Sequence, residues 1–258
     1  GSNFIDTKEH GLYITNNSYN IFWDNNFTNT GILLWDVGVG NTLMNDDINT
    51  SNLVNGRPIY HFVNQVGINS SHYPSNPGQL ILVYCNDSVI EDTEINSTNV
   101  PINLIFCNGV SIENNTLRDS FKGVFLVHSH FNNATNNILL NMRGYSFHLY
   151  MSDYNRIIGN IINGTPDPGY EYFSNIMGTG NVITENMING IMYLMPTVID
   201  DSGNGDYTWT EATTREWVSG NGTWENPYVI ENIVIDPSVI GLQYDNGSCL
   251  EIKNSEAY

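Results

Sequence analysis

The sequence of 258 residues predicts an all-β fold: a single-stranded right-handed parallel β-helix, a solenoid with about 22 residues in each turn. Three observations predict it. The chain holds 40 asparagines and 23 glycines, residues that favour tight turns over helices. Apolar residues alternate over short runs, as they do in half-buried strands. This pattern then recurs at a fixed spacing, which is typical of stacked repeats.

The repeat is clearest in the middle of the chain. Cys85, Cys107 and Ser129 occupy equivalent positions 22 residues apart, within the units 78–99, 100–121 and 122–143. One unit of three short strands cannot bury its apolar face alone, whereas stacked units share one core. The apolar columns predicted to fill this core are Leu80/Ile102/Val124, Leu82/Leu104/Leu126, Ile90/Ile112/Ala134 and Ile95/Leu117/Leu139.

Other stretches fit the same frame. Residues 11–27 and 31–48 lie upstream, the next turn after 143 carries one extra residue, and 180–188 with 190–194 are interpreted as a seventh turn and part of an eighth. Paired turn residues recur between strands, and asparagine tolerates the left-handed backbone that such turns need. These pairs, interpreted as structural, are Asn25-Asn26, Asp46-Asp47, Asn114-Asn115, Asn136-Asn137 and Gly159-Asn160.

Two insertions and a change of pattern set the predicted organisation. The β-helix is expected over 3–199, with a long insertion at 53–77 and a short one at 166–172 on the same side. Residues 200–258 are interpreted as a linker, a short helix capped by Thr210 and the start of a second β-helix. Residues 249–255 return to the repeat frame.

Composition excludes several classes of function. A net charge of −19 repels phosphate backbones and anionic lipids, so a nucleic-acid partner is not expected. No apolar run reaches the roughly 18 residues of a membrane span, so membrane insertion is not expected either. Many Asn-x-Ser/Thr sequons favour an extracellular location. The three cysteines show no metal-binding spacing, and Cys85 and Cys107 are expected as free thiols in the core.

Two stretches resemble the NosD-like family of parallel β-helix repeat proteins, which includes carbohydrate-binding and sugar-hydrolase types. They are NGRPIYHFVNQVGIN followed by GQLILVYCNDSVIEDTEI (55–69 and 78–95), and GNGTWENPYVIENIVI (220–235). The resemblance implies a β-helix at the cell surface, outside the cell or in the periplasm. It covers copper-site maturation factors, sugar-acting enzymes and surface proteins, so it implies no single function.

The outward-facing residues of the first strand column form a largely apolar strip. It comprises Ile81, Val83, Asn103, Ile105, Phe125, Val127, His148 and Tyr150. A bare solvated face would be polar, so something is expected to cover the strip, and the insertion 53–77 with Tyr60, Phe62 and Tyr73 is the nearest candidate. Otherwise the strip, flanked by tyrosines, is a sugar-stacking groove or a protein interface. The candidate ligand-binding residues are Tyr60, Tyr73, Phe125, His148, Tyr150, Tyr170 and Tyr172.

Charged residues give weaker candidates. Glu91 and Glu113 are 22 residues apart and should stack one strand spacing from each other. Their repulsion could be relieved by a calcium ion, by a raised pKa or by splaying into solvent, and their spacing also matches a retaining glycosidase. The arginines share no column, which disfavours a lyase. No histidine pair has a recognised metal-ligand spacing.

Three functions remain open. The favoured one is a non-catalytic structural module at the cell surface that binds a glycan or a neighbouring surface-protein module. The alternatives are a polysaccharide-active hydrolase or lyase and a NosD-like metal-handling protein. Asn3 and Tyr258 are interpreted as the cut ends of a longer tandem array. They predict that the C-terminal segment of one molecule docks on the N-terminal turn of another, giving head-to-tail chains.

Overall fold

The computed structural model describes residues 1–35, 45–73, 76–236 and 248–255. The chain is a parallel β-helix of about eight turns, as predicted. The strands of its N-terminal part are β1 (Asn3–Ile5), β2 (Leu12–Thr15), β3 (Ile21–Phe22), β4 (Asn26–Thr28), β5 (Ile32–Trp35), β6 (Asp47–Ile48) and β7 (Leu53–Val54).

The central strands are β8 (Arg57–Val63), β9 (Gln79–Val83), β10 (Val89–Glu91), β11 (Glu94–Asn96), β12 (Ile102–Ile105), β13 (Ser111–Glu113), β14 (Thr116–Arg118), β15 (Val124–Val127), β16 (Asn133–Thr135), β17 (Ile138–Leu140), β18 (Phe147–Tyr150), β19 (Arg156–Ile158), β20 (Ile161–Asn163), β21 (Phe173–Ile176), β22 (Val182–Thr184) and β23 (Asn186–Ile188). The C-terminal elements are β24 (Ile191–Leu194), β25 (Thr197–Asp200), α1 (Trp209–Ala212), β26 (Val218–Ser219), β27 (Val229–Ile230), β28 (Ile233–Ile235) and β29 (Leu250–Lys253).

The central solenoid stacks its strands in three parallel columns. The first runs β8-β9-β12-β15-β18-β21, the second β10-β13-β16-β19-β22 and the third β11-β14-β17-β20-β23. Leu80, Ile102 and Val124 are register partners, which confirms the repeat of 22 residues. Leu104 lies fully buried in the core of this solenoid.

Buried side chains bond from turn to turn along the solenoid. The Asn137 amide accepts hydrogen bonds from the backbone N–H and the side chain of Asn115, and it donates to Ile112 O and to Asn160 Oδ1, at 2.8–3.0 Å. Asn136, just before it, takes the left-handed backbone with φ of 55°. Asn136 therefore makes the left-handed turn and Asn137 forms the buried hydrogen bonds between turns. Both roles are structural, as expected. Cys85 and Cys107 are free and buried, also as expected.

An Asn-Gly hairpin separates the first solenoid segment from the central one. Asn55 and Gly56 both have positive φ, 48° and 78°, which is the backbone of a tight two-residue hairpin. Strand β8 is therefore antiparallel to β7, although both belong to the same nine-stranded sheet as β9. Strand direction reverses at this point while the sheet continues.

The reversal places a core on each face of that sheet. On β9, Leu80 and Leu82 enter the central core, whereas Ile81 and Val83 enter the core of the N-terminal segment. The apolar strip is covered, as predicted, but the cover consists of described residues of the N-terminal segment, chiefly in β2, β4 and β5. The prediction that the insertion 53–77 would be the cover was wrong, because the hairpin turns part of that insertion into strand β8.

A second Asn-Gly hairpin ends the central solenoid. Asn189 and Gly190 have φ of 49° and 81°, and β24 runs antiparallel to β23. The sequence predicted that 190–194 would continue the solenoid as part of an eighth turn. This prediction was wrong, because the hairpin reverses the direction of the strand. Tyr193 and Met195 pack against the end of the central core, so the first strand of the next segment closes it.

The C-terminal segment has its own small core. Trp209, Trp217 and Ile199 are buried in it. The helix is capped by Thr208 and not by Thr210, because Glu211 lies three residues after Thr208 and completes a capping box. The interpretation of Tyr258 lies outside the described residues, and head-to-tail association stays a prediction.

Candidate functional site

The apolar strip is an internal interface. Phe125 is fully buried and His148 is 4% exposed. The ring of Trp35 lies over them, 5.1 Å from the ring of Phe125 and 4.9 Å from that of Tyr150, measured between centroids. Phe125 and His148 are therefore not available to stack on a sugar, because β5 of the N-terminal segment occupies the position that a ligand would take.

Buried amides complete the edge of that covering strand. Gln79 accepts a hydrogen bond from Ile32 N at 3.1 Å and donates to Ile32 O at 2.6 Å, while Asn103 donates to Leu34 O at 3.0 Å. These amides form the hydrogen bonds that a neighbouring strand would form with β5, so the backbone groups of Ile32 and the carbonyl of Leu34 have partners. The polar Asn103 in an apolar strip is explained by this contact.

Two titratable side chains, His148 and Lys122, lie beside this interface. Burial, together with the smaller effect of the Lys122 charge, lowers the pKa of His148 to about 3. Burial likewise lowers the pKa of Lys122 to about 8, partly offset by the charge of Glu9. The Lys122 ammonium lies 4.3 Å from the centroid of the Phe125 ring. Neither ring nitrogen of His148 has a hydrogen-bond partner, so the imidazole is buried in its neutral form.

Tyr60 and Tyr73 close the N-terminal end of the central core. Tyr73 is 2% exposed, donates to Val89 O at 3.2 Å and accepts from Glu91 N at 3.1 Å. Burial raises the pKa of its hydroxyl. Tyr60 is half-buried, and its ring packs on Tyr73 at 6.5 Å. These two predicted ligand-binding residues serve as a cap, because β8 faces the core with Tyr60 and Phe62.

The stacked carboxylates are in the predicted register. Glu91 and Glu113 are direct partners in β10 and β13. Glu113 accepts a hydrogen bond from Ser111, and Glu91 accepts one from Ser70 at 3.4 Å. Among the described residues, no group of three or more His, Cys, Asp or Glu side chains could hold a metal ion. Calcium binding at Glu91 and Glu113 stays a prediction.

Tyr170 and Tyr172 line a groove on the outer surface. Its volume is about 380 Å³, and its walls are the short insertion, with Pro166 and Pro168, and Tyr193 of β24. The Tyr172 hydroxyl donates to Gly164 O at 3.1 Å and accepts from Asn189 Nδ2 at 3.0 Å, which fixes its ring. Tyr193 was not predicted to join the other two tyrosines, because the repeat pattern placed 190–194 in an eighth turn that continues in the same direction.

A polar cleft adjoins this groove. Its volume is about 330 Å³, and it is lined by Asp6, Thr7, Lys8, Asn29, Ser97, Asp119 and Arg143. Arg143 Nη2 donates to Lys8 O at 2.9 Å, and Arg143 O accepts from Asp167 N at 2.6 Å. One residue thus contacts both the N-terminal segment and the insertion that walls the tyrosine groove. No motif in the sequence indicated this cleft.

A third cavity, of about 180 Å³, lies at the second hairpin. Met187 and Met192 are direct cross-strand partners and line it together with Glu216 and Trp217. Methionine thioethers are soft ligands. The sequence analysis did not weigh methionines as metal ligands.

The histidines do not converge. His128 stacks on Phe106 at 4.9 Å in an external aromatic ladder, and His130 pairs with Asp153 at 3.3 Å. His61 is partly buried, and desolvation lowers its pKa to about 4. No three of the described histidines, cysteines and carboxylates form a group that could hold a metal ion.

The stacked turns and external clefts define this chain as a β-helix repeat protein. Residues 59–232 match the family model described as periplasmic copper-binding protein (NosD). This match covers about two thirds of the chain, and the protein belongs to the NosD family, as the resemblance implied. No curated protein and no solved structure matched the chain.

The family's description as periplasmic agrees with the expected location outside the cytoplasm, extracellular or periplasmic. Over the residues that the structure describes, no helix is both long and apolar enough to cross a membrane.

Proposed function

We propose that the protein is a non-catalytic β-helix module that binds a glycan in the tyrosine groove. The observation that carries this proposal is the convergence of Tyr170, Tyr172 and Tyr193 on one concave surface. Sugar rings present apolar C–H faces that pack on aromatic rings, while tyrosine hydroxyls donate or accept hydrogen bonds and rim carboxylates accept them. Asp167 and Glu171 supply such carboxylates at the rim.

The surroundings of these carboxylates favour binding over hydrolysis. A glycosidase holds its general acid in a dry pocket beside a second carboxylate. Glu171 is exposed, and the stacked Glu91 and Glu113 do not line the tyrosine groove. Of the two carboxylates that line the groove, Glu171 therefore lies in solvent and not in the dry pocket that a general acid needs.

Glycan-array screening followed by calorimetric titration of the tightest ligand tests the proposal. Tyr172→Ala should weaken binding about tenfold, because one stacked aromatic contributes about 0.5–1.5 kcal/mol beyond the area it buries. Tyr154→Ala is a matched control, since Tyr154 is 55% exposed and stacks on Phe131 in an external ladder. An equal effect of both variants, or no glycan bound at all, would contradict the proposal.

A second candidate is copper handling, which the family's description names for its members. The described residues offer no cluster of three His, Cys, Asp or Glu ligands. The thioethers of Met187 and Met192, on facing strands of one cavity, fit Cu(I) instead, since soft sulfur ligands select it. At this cavity the protein would store or transfer Cu(I) and would not use it for catalysis. Glu216 is a neighbouring carboxylate.

Competition with a Cu(I) chelator tests this candidate. The unmodified protein should withdraw Cu(I), and X-ray absorption should detect sulfur ligands. Met187→Leu should lose that binding, while Met177→Leu, at a 60% exposed position, should keep it. If Met187→Leu binds as well as the unmodified protein, copper handling at this cavity is refuted.

A further inference from the structure

The tyrosine groove and the polar cleft share one boundary. The backbone carbonyl of Arg143 accepts the hydrogen bond from Asp167 N at 2.6 Å, at the start of the insertion that forms the groove. The guanidinium of Arg143 donates to Lys8 O at 2.9 Å across the seam with the N-terminal segment. It also lies 5.9 Å from the ring centroid of Phe121, which in turn packs on Tyr170 at 5.3 Å. The two depressions are therefore contiguous through these side chains.

The lining of the polar cleft suits sugar hydroxyls. Asp119 Oδ1 accepts a hydrogen bond from Asn141 Nδ2 at 3.0 Å, and Asn29 Nδ2 donates one to Asp6 Oδ1 at 2.7 Å, which orients both groups. Their remaining lone pairs and the second N–H of Asn29 can bond sugar hydroxyls. The cleft holds two carboxylates, on Asp6 and Asp119, and two cations, on Lys8 and Arg143, so its formal charges cancel. A cleft of cancelling charge, on a chain of net charge −19, disfavours a polyanion.

We propose that the groove and the cleft are two subsites for one neutral oligosaccharide, which spans the seam between the N-terminal segment and the central solenoid. This inference rests on the proposed glycan binding and deepens it. The tyrosine subsite stacks on sugar rings, and the polar subsite forms hydrogen bonds with the hydroxyls of sugar units farther along the oligosaccharide. Because Lys8 and Asp119 come from different segments, the bound oligosaccharide holds those segments together.

The dependence of affinity on oligosaccharide length distinguishes the two subsites experimentally. The probes are β-1,4-glucose, β-1,4-mannose and α-1,4-glucose oligosaccharides of two to six units, with oligogalacturonates as the acidic comparison. Affinity for one neutral series should rise at least tenfold between two and five units. Lys8→Met or Asp119→Ala should remove most of that rise while leaving the affinity for the two-unit sugar unchanged. Asp92→Ala is the control, since Asp92 occupies an exposed turn on another column of the solenoid.

The outcomes distinguish the two-subsite inference from the glycan-binding proposal on which it rests. Binding that depends on Tyr172 but is equal for short and long sugars would overturn the two-subsite inference and keep the tyrosine groove. Preference for the galacturonates would overturn the neutral class of ligand. Absence of binding to every probe would overturn the inference together with the glycan-binding proposal. Thermal unfolding of each variant without ligand verifies that a lost affinity is not a lost fold.

Discussion

The buried imidazole of His148 should make the protein sensitive to acid. Its pKa is about 3 in the folded chain, mainly because of burial, against an ordinary 6.5. Between pH 6.5 and pH 3 the unfolded chain binds a proton that the folded chain does not. Stability is therefore lost as pH falls through this window. For one group with these pKa values, the loss between pH 7.5 and pH 5 is about 2 kcal/mol.

His148→Phe isolates this contribution. Phenylalanine can keep the stacking on Phe125, where the two ring centroids are 4.6 Å apart and tilted by 21°. No hydrogen bond is lost, because neither ring nitrogen has a partner. The variant should be at least as stable as the unmodified protein at pH 7.5, and about 2 kcal/mol more stable than it at pH 5.

Urea unfolding followed by circular dichroism at pH 7.5, 6 and 5 measures the difference. His61, whose pKa burial lowers to about 4, should leave a remaining acid dependence in the variant. His72→Phe is the control, since His72 is exposed. If His148→Phe loses stability between pH 7.5 and pH 5 as steeply as the unmodified protein, the buried neutral imidazole is not the cause.

Three further substitutions test the fold. Asn137→Ala should cost about 2–4 kcal/mol in urea unfolding, because it leaves Asn115 N–H and Ile112 O without their buried partner; a cost below 0.5 kcal/mol would contradict the ladder. Leu104→Asp should abolish the folded circular-dichroism spectrum, because a carboxylate at a fully buried position costs several kcal/mol; an unchanged melting curve would contradict the register. Gly56→Val should lower stability by about 1–2 kcal/mol, because its φ is 78°; an unchanged urea midpoint would contradict the hairpin.

The repeat made the central solenoid predictable. Stacked strands with buried faces tolerate no slip in register, so the spacing of Cys85 and Cys107 translated directly into strand pairs such as Leu80 with Ile102. The left-handed turns followed from the asparagine pairs for the same reason. The strand pairs and the left-handed turns both depend on equivalent positions in adjacent repeats, and the sequence shows which positions are equivalent.

The reversals of direction were not predictable from the same pattern. An alternating strand looks alike in either direction, so 190–194 fitted the repeat frame without revealing the antiparallel pairing of β24. Residues 57–63 were interpreted as part of an insertion, so strand β8 and its antiparallel pairing with β7 were not expected. The Asn-Gly pairs at 55–56 and 189–190 are strong hairpin signals, and they were the available clue. Without the reversals, the second core could not be assigned to the N-terminal segment.

The candidate site was predictable only in part. Tyr170 and Tyr172 stand together in one insertion, but Tyr193 joins them only because β24 turns back. Lys8 and Arg143 are brought together across the seam of two segments, which no local pattern encodes. Sites made from remote loops depend on tertiary packing.

Hydrogen exchange with and without ligand tests the central claim most directly. The probe is whichever neutral oligosaccharide binds tightest, at saturating concentration. Binding in the tyrosine groove predicts slower exchange of backbone amides in 165–172 and 191–194, with no change around the external ladder of Phe131 and Tyr154. Slower exchange confined to other parts of the solenoid would contradict the assignment of the groove as the glycan site.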